Sequence, residues 1–556
     1  MKGIGRTGLL SLVVFAVSAS GAAAAPPPST TPIRHLVVIF QENNSFDHYF
    51  GTYPVALNPP GEPPFQARDD TPTVNGLGTL IDGQPHGVLL TDNPNASNPA
   101  NGTSAINPFR LDRNQAALDC DNSNAYAAEQ SAFDHGLMDA FPAFTSAAAT
   151  SASRDEAACP AGIAMGYYDG NTVTALWNYA QHFAMSDNFF DTEFGTTVMG
   201  HLNLITGQTH QTYEPGNVQK TGANSFVIRN GSVIANLDSA LEDCRSAPVS
   251  GVPVAAVQMT GHNVGDLLNA KGISWGWFYG DFTAQPGSTA TQAVCTAAYD
   301  EHYDPFQYYA LTANPHHLPP SSTALIGHQA DQANHQYDLT AFWAALKAGN
   351  LPTVSFVTAP ANQTGHPMTS DALSEQKFLV DTINALQRSR YWPTMAIIVT
   401  YDDSDGWYDH VMSPIVNQSN DPATVTGGVD SICGTVPLPA GAFNDRCGYG
   451  QRLPFLVISP YAKRNHIDHA TLDTTSVLRF IEDNWLLGRI DSLDNPGGTP
   501  AGQGSFDQFA GSIEGLFDFD DRYRDSRDDL PLLLNDSTGE VVWPPQQGVD
   551  RLCLHH

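Results

Sequence analysis

Short runs of consecutive apolar residues, each closed by a polar cluster, recur along the chain and set its organisation. The clearest is Met395-Ala-Ile-Ile-Val-Thr-Tyr401, whose β-branched residues predict a fully buried strand that ends at Asp402-Asp403. Residues 33–40 (Ile-Arg-His-Leu-Val-Val-Ile-Phe) predict a second central strand, which stops at Gln41-Glu42-Asn43-Asn44. Further strands are expected at 272–279, 353–358 and 453–459. Residues 373–388 carry Phe378, Leu379, Ile383 and Leu386 at helical spacing, and 127–137 and 477–487 also read as helices. Residues 174–183 and 202–207 read as helical or buried segments on either side of the Gly195-Thr196-Thr197 turn. Residues 54–108 show no periodicity and are rich in Pro, Gly, Asn and Asp, the signature of a long surface loop.

Strands alternating with helices predict an α/β fold with a mostly parallel central sheet flanked by helices and long loop insertions. Ligands of such sheets bind outside the carboxyl ends of the strands. Glu42-Asn43 and Asp402-Asp403 both fall there, so one shared site is expected. Adjacent carboxylates repel and lose hydration when buried, so they need a cation or a proton. Together these side chains offer four oxygen ligands, a set suited to one divalent calcium, magnesium or manganese ion. An EF-hand is excluded, because Tyr401 occupies its first ligand position and Met412 its twelfth.

Composition changes the picture in three ways. Residues 1–25 read as a secretory signal, with Lys2 and Arg6, an apolar stretch over 9–17 and Ala22-Ala23-Ala24 as the cleavage zone. Residues 26–32 follow as a Pro/Ser/Thr tether, and residues 33–556 as one catalytic domain whose stretch from about 495 is polar and loop-rich. No later apolar run is long enough to span a bilayer, so a secreted or periplasmic protein is expected. Seven cysteines in an exported chain permit disulfides, and pairing near neighbours gives 120 with 159, 244 with 295 and 433 with 447, leaving Cys553 over. The net charge of −32 repels nucleic acid and anionic membrane faces. A phosphorylated substrate would need a local cation to overcome that field.

Two further features carry candidate chemistry. Gln363-Thr364-Gly365-His366-Pro367 is a turn after a predicted strand, where an imidazole can bind phosphate oxygens or protonate a leaving group. Thr196-Thr197 precedes a predicted helical segment whose first amides can hold an anion. One G-x-S-x-G string occurs, at 272–276, but it opens a predicted strand and is not the strand-to-helix elbow of a hydrolase; no C-x-P-x-R sulfatase motif occurs.

Taken together, the motifs resemble the bacterial phosphoesterase family that contains acid phosphatases and phospholipases C, within the alkaline-phosphatase-like group. The resemblance rests on Gln41-Glu-Asn-Asn-Ser-Phe-Asp-His-Tyr-Phe-Gly51, on Phe194 to Thr209, and on Asp304-Pro-Phe-Gln-Tyr-Tyr309. Gly365-His366-Pro367, Tyr401 to Val411, Cys447 to Pro454 and Arg479 to Trp485 complete it. It implies an alkaline-phosphatase-like fold, Glu42, Asn43, Asp402 and Asp403 as metal ligands, Thr197 as nucleophile, and His366 and His302 beside the phosphate. Asn124 stands where the acid-phosphatase branch has a histidine and Tyr303 where the second of a His-His pair is expected, so both enter as substrate-contact positions that lack a proton donor near the phosphate. The expected function is an exported metal-dependent phosphomonoesterase of acid-phosphatase type, working through a phospho-threonine on a small phosphorylated substrate. A phospholipase C acting on a phospholipid head group is the alternative, and a non-catalytic binding protein on the same fold the second.

Overall fold

Strand β1 (His35–Gln41) and its neighbour in the sheet (Met395–Tyr401) are buried on both faces, as their unbroken apolar runs require. In the computed structural model, the described residues are 28–81, 84–116, 120–148, 159–210, 212–213, 228–229, 232–246, 255–296, 298–418, 420, 432–433, 445–490, 504–520 and 530–544. The expected signal segment and Cys553 lie outside them. The remaining strands of the main sheet are β2 (Ala184–Ser186), β3 (Trp275–Tyr279), β4 (Gln336–Asp338) and β5 (Val354–Thr358). After them come β6 (Met395–Tyr401), β7 (Phe455–Ile458) and β8 (His466–Asp468), giving eight strands in the order β4-β3-β5-β1-β6-β7-β2-β8. The five strands from β4 to β6 are parallel; β7 runs antiparallel to both of its neighbours, and β8 is parallel to β2. The expected mostly parallel sheet is therefore present, with one reversed strand inside it.

Helices cover the sheet: α1 (Phe46–Phe50), α2 (Tyr126–Ala132), α3 (Thr174–His182), α4 (Thr197–Thr206), α5 (Leu339–Ala348), α6 (Ala372–Gln387) and α7 (Thr474–Asn484). Asp371 starts α6 by accepting from the Leu373 and Ser374 amides, and Asp473 caps α7 in the same way. Helices α4 and α7 pack against each other. Among the described residues, no helix is long and apolar enough to cross a membrane.

One expectation is corrected. Residues 54–108 are not a plain surface loop: they hold a short helix, Pro94–Ser97, and bury Phe65, Leu77, Leu90, Asn93 and Asn95. Asn95 donates to the Met138 carbonyl (2.9 Å) and accepts from the Phe141 amide (3.0 Å), so polar side chains do the packing that periodicity does not reveal. The stretch beyond residue 495 buries Phe506, Ile513 and Leu516, and its hairpin of Leu533–Leu534 and Val541–Trp543 is tied to α6 through Asn384 and Gln387. The end of the tether is docked, with Thr31 hydrogen-bonded to the Asn484 side chain (2.7 Å). Disulfides join Cys120 to Cys159, Cys244 to Cys295 and Cys433 to Cys447, the near-neighbour pairs.

Candidate active site

Register builds the site. Strands β1 and β6 pair from His35↔Met395 to Gln41↔Tyr401, so the next residues out, Glu42 and Asp402, leave the sheet side by side. The Asp402 amide still bonds the Gln41 carbonyl (3.0 Å), and Asp402 Oδ1 accepts from the Asn43 amide (3.1 Å). Asn43 takes a left-handed conformation (φ 66°), which asparagine tolerates better than most residues. Its Nδ2 donates to Asp405 Oδ1 (3.4 Å). Asp403 Oδ1 accepts from the Asp405 amide (2.7 Å), and its Oδ2 from Asn124 Nδ2 (2.8 Å).

The helix carrying Thr197 reaches this point through a backbone contact. Thr197 is the first residue of α4, and Gly200, three residues on and on the same face, lies against β6. A Cβ at Gly200 would come within 2.0 Å of the Asp402 carbonyl oxygen, so no larger residue allows this approach. Gly195 turns the chain into the helix with φ +136°. One turn after Thr197, the His201 Nδ1 lies 2.9 Å from the Thr197 carbonyl, the bond that makes it the protonated nitrogen. His201 Nε2 is then left facing Glu42 Oε1 at 3.8 Å. Ligand atoms of Glu42, His201 and Asp402 all lie within 4.8 Å of one another. Residues 42, 201 and 402, far apart in sequence, are thus brought to one place, one helical turn from Thr197.

The electrostatics of this cluster are unbalanced. Burial first, then the neighbouring Asp402 and Asp403, hold the Glu42 carboxyl well above its ordinary range. Burial, Asp402 and Glu129 do the same to Asp403. Glu42 Oε1 and Oε2, Asn43 Oδ1 and Asp402 Oδ2 are buried without a hydrogen-bond partner. Among the described residues no lysine or arginine pairs with these carboxylates. Orphaned oxygens on clustered acids fit a hard divalent cation, which would satisfy them all at once.

The expected histidines and their substitutes surround this centre. His366 sits in the loop after β5, and Glu42 donates its amide to Thr364 of that loop (3.2 Å). His366 lies near both Asp121 and Asp300. His302 is held among carboxylates. Its Nδ1 lies 3.0 Å from Asp300, and its Nε2 lies 3.5 Å from Asp238 and 3.7 Å from Glu301. Burial opposes its cation, but Asp238 and Asp300 outweigh burial and push it up to about 10. Tyr303 is buried and lies parallel to the His201 ring, with centroids 5.9 Å apart. Sequence reasoning missed His201 and Glu129; for His201, the spacing of four from Thr197 on one helix face was the available signal.

A second acidic cluster lies on the same two chain exits. Arg452 reaches Asp47 Oδ1 and Asp409 Oδ2, each at 3.0 Å, while His410 Nδ1 meets Asp47 Oδ2 at 2.6 Å. The Arg452 guanidinium also stacks over Phe46 (4.2 Å), the first residue of α1.

A model of the Phosphoesterase family matches residues 33–488. A non-hemolytic phospholipase C from Pseudomonas aeruginosa is 23% identical over 460 residues, which are 82% of this chain and 54% of that protein. Phospholipase C A from Mycobacterium tuberculosis is 25% identical over 462 residues, 81% of this chain and 72% of that protein. The chain thus spans about half the length of the Pseudomonas relative. A solved Vibrio parahaemolyticus protein of the alkaline phosphatase superfamily is 12% identical, with a TM-score of 0.27 over 57% of this chain and 60% of its own. The family match covers the strand exits, the α4 turn and every cluster described above: the chain belongs to the Phosphoesterase family.

Proposed function

We propose that the protein is a metal-dependent phosphoric-ester hydrolase in which Thr197 is the nucleophile. The reading is carried by one observation, the four orphaned oxygens of Glu42, Asn43 and Asp402 gathered where Gly200 brings the start of α4 against β6. Glu42, Asn43, Asp402 and Asp403 would hold one divalent ion. Such an ion supplies a positive field that eases loss of the nucleophile's proton and withdraws charge from phosphorus.

Thr197 then attacks phosphorus in line; its oxygen bonds to phosphorus as the bond to the departing oxygen breaks, and the alcohol leaves with a proton. Water attacks the phospho-threonine in turn, regenerating the hydroxyl and releasing phosphate or a phosphate monoester. The first turn of α4 presents its dipole to the transferring group. His366 and His302 would contact the phosphoryl oxygens or assist the departing group, and Asn124 donates to Asp403. Tyr303 walls the pocket beside His201.

The relatives reported above are both named phospholipase C, which favours a phosphodiester over the monoester that the sequence resemblance implies. Export through the expected signal segment is part of the same proposal. Thr197→Ala should lower turnover by about 10³-fold or more while leaving metal binding and Tm unchanged; undiminished activity overturns the nucleophile. Assay of a chromogenic phosphate monoester against phosphatidylcholine, each with and without chelator, separates the two substrates. Turnover of neither ester would favour the non-catalytic alternative.

A further inference from the structure

Glu129 lies on α2, outside every motif used above, and is 1% exposed. Its two carboxyl oxygens serve two different catalytic elements. Oε2 accepts from the Gly195 amide (3.0 Å), two residues before Thr197. Oε1 lies 2.7 Å from the Ser404 hydroxyl, one residue after Asp403. The packing of Phe133, just past α2, edge-on against Phe194 (4.8 Å between centroids) keeps the helix beside that turn.

Counting protons defines the carboxyl further. Ser404 Oγ accepts from the Gly406 amide (2.9 Å) and also faces Gln451 Oε1 (2.9 Å). The Gln451 amide nitrogen is engaged by the Trp407 carbonyl, which fixes its oxygen toward Ser404. One hydroxyl proton cannot serve Gln451 and Glu129 together. A proton on Glu129 completes the network: Glu129 donates to Ser404, and Ser404 donates to Gln451. Burial pushes the Glu129 carboxyl up to about 8, which agrees with that count. Glutamine matches the protonated acid in shape and in donor and acceptor placement.

We propose that Glu129 is a positioning residue, a single buried side chain that ties the Gly195 turn to Ser404 and so orients the Thr197 hydroxyl toward the Asp402-Asp403 pair, while the Gly200 contact sets how closely the helix approaches. The inference rests on the reading of Thr197 as nucleophile. The full chain with Glu129→Ala and Glu129→Gln tests it, by kcat and KM at saturating divalent metal and by hydrogen exchange of peptides covering residues 190–200. Glu129→Ala should lower kcat by about 10²-fold with KM within about threefold, as expected when reacting groups are misplaced by about 1 Å. Exchange at the Gly195 turn should accelerate, and Glu129→Gln should restore both readouts. If Glu129→Ala does not fold, Ser404→Ala removes the other half of the tie and should lower kcat by about tenfold.

A kcat for Glu129→Ala within threefold of wild type, equal damage from Ala and Gln, or unchanged exchange in the alanine variant would each overturn the inference; so would an unaffected Ser404→Ala. A wild-type chain that turns over no ester would instead sink the hydrolase reading, and exchange would still decide whether Glu129 holds the turn.

Discussion

The exits of β1 and β6 build two acidic clusters a few residues apart, and the clusters differ in how their charge is met. At Asp47 and Asp409 the chain supplies its own cations. Arg452 spans both acids, His410 takes the remaining oxygen of Asp47, and Asp409 Oδ1 accepts from the Val411 amide (2.8 Å). Burial alone would raise the Asp47 carboxyl, but His410 and Arg452 overcome it and hold it below its ordinary range. At Glu42 and Asp402 no guanidinium or ammonium arrives among the described residues, oxygens stay orphaned, and Glu42 moves the opposite way. Carboxylate density is therefore no guide to function by itself. What separates a girder from a receptor for an ion is whether the fold has already filled the space between the acids. A third acid shows a third answer: Glu375, buried under both exits, accepts from Tyr49 (2.7 Å) and Tyr401 (2.5 Å), and burial outweighs both bonds and pushes its carboxyl up to about 8.

These contrasts can be broken by substitution. The largest effect is expected from Asp402→Asn, which should cost about 10³-fold or more in turnover, equivalent to several kcal/mol of transition-state stabilisation. Its divalent metal content, measured by plasma emission, should fall to near zero. Yet its Tm in chelator should equal or exceed that of wild type, because an uncompensated buried charge is gone; a marked loss of stability would contradict the comparison. Next is Arg452→Met, which strands Asp47 and Asp409 and should lose about 3–5 kcal/mol in urea unfolding, the cost of removing one partner of a buried pair. A loss below about 1 kcal/mol would show that Arg452 is not the lock.

The smallest effect concerns pH. Burial raises the Glu375 carboxyl to about 8, whereas an unfolded chain holds glutamate near about 4.3. With the folded value the higher, this contribution to stability is complete below about 4.3 and is lost as pH rises through about 8. In chelator, the Tm of wild type should therefore decline across that window more than the Tm of Glu375→Gln. Parallel curves would refute the raised carboxyl as the third answer.

Much of this was legible in the chain and some was not, for physical reasons. Strands β1 and β6 announce themselves because both of their faces are buried, and their polar exits stand out against the apolar runs. The near-neighbour pairing of the cysteines was one of several the sequence left open, and the structure has it. The three-residue strands β2, β4 and β8 are too short to carry a period, and the reversed direction of β7 is set by pairing partners far away in the chain. Glu129 reads in sequence as an ordinary helical acid, since only the distant Gly195 and Ser404 reveal its use. His302 was legible as a site residue, but not the three acids gathered around it, two of them its own neighbours, 300 and 301.

The Gly200 crossing has a consequence for how this centre can vary. Where side chains alone span a gap, a rotamer change can widen or narrow it; here main chain rests on main chain, so the spacing behaves like a machined gauge rather than an adjustable one. Variation in what the protein accepts is then left to the surrounding loops, free to drift around a stroke length that stays constant.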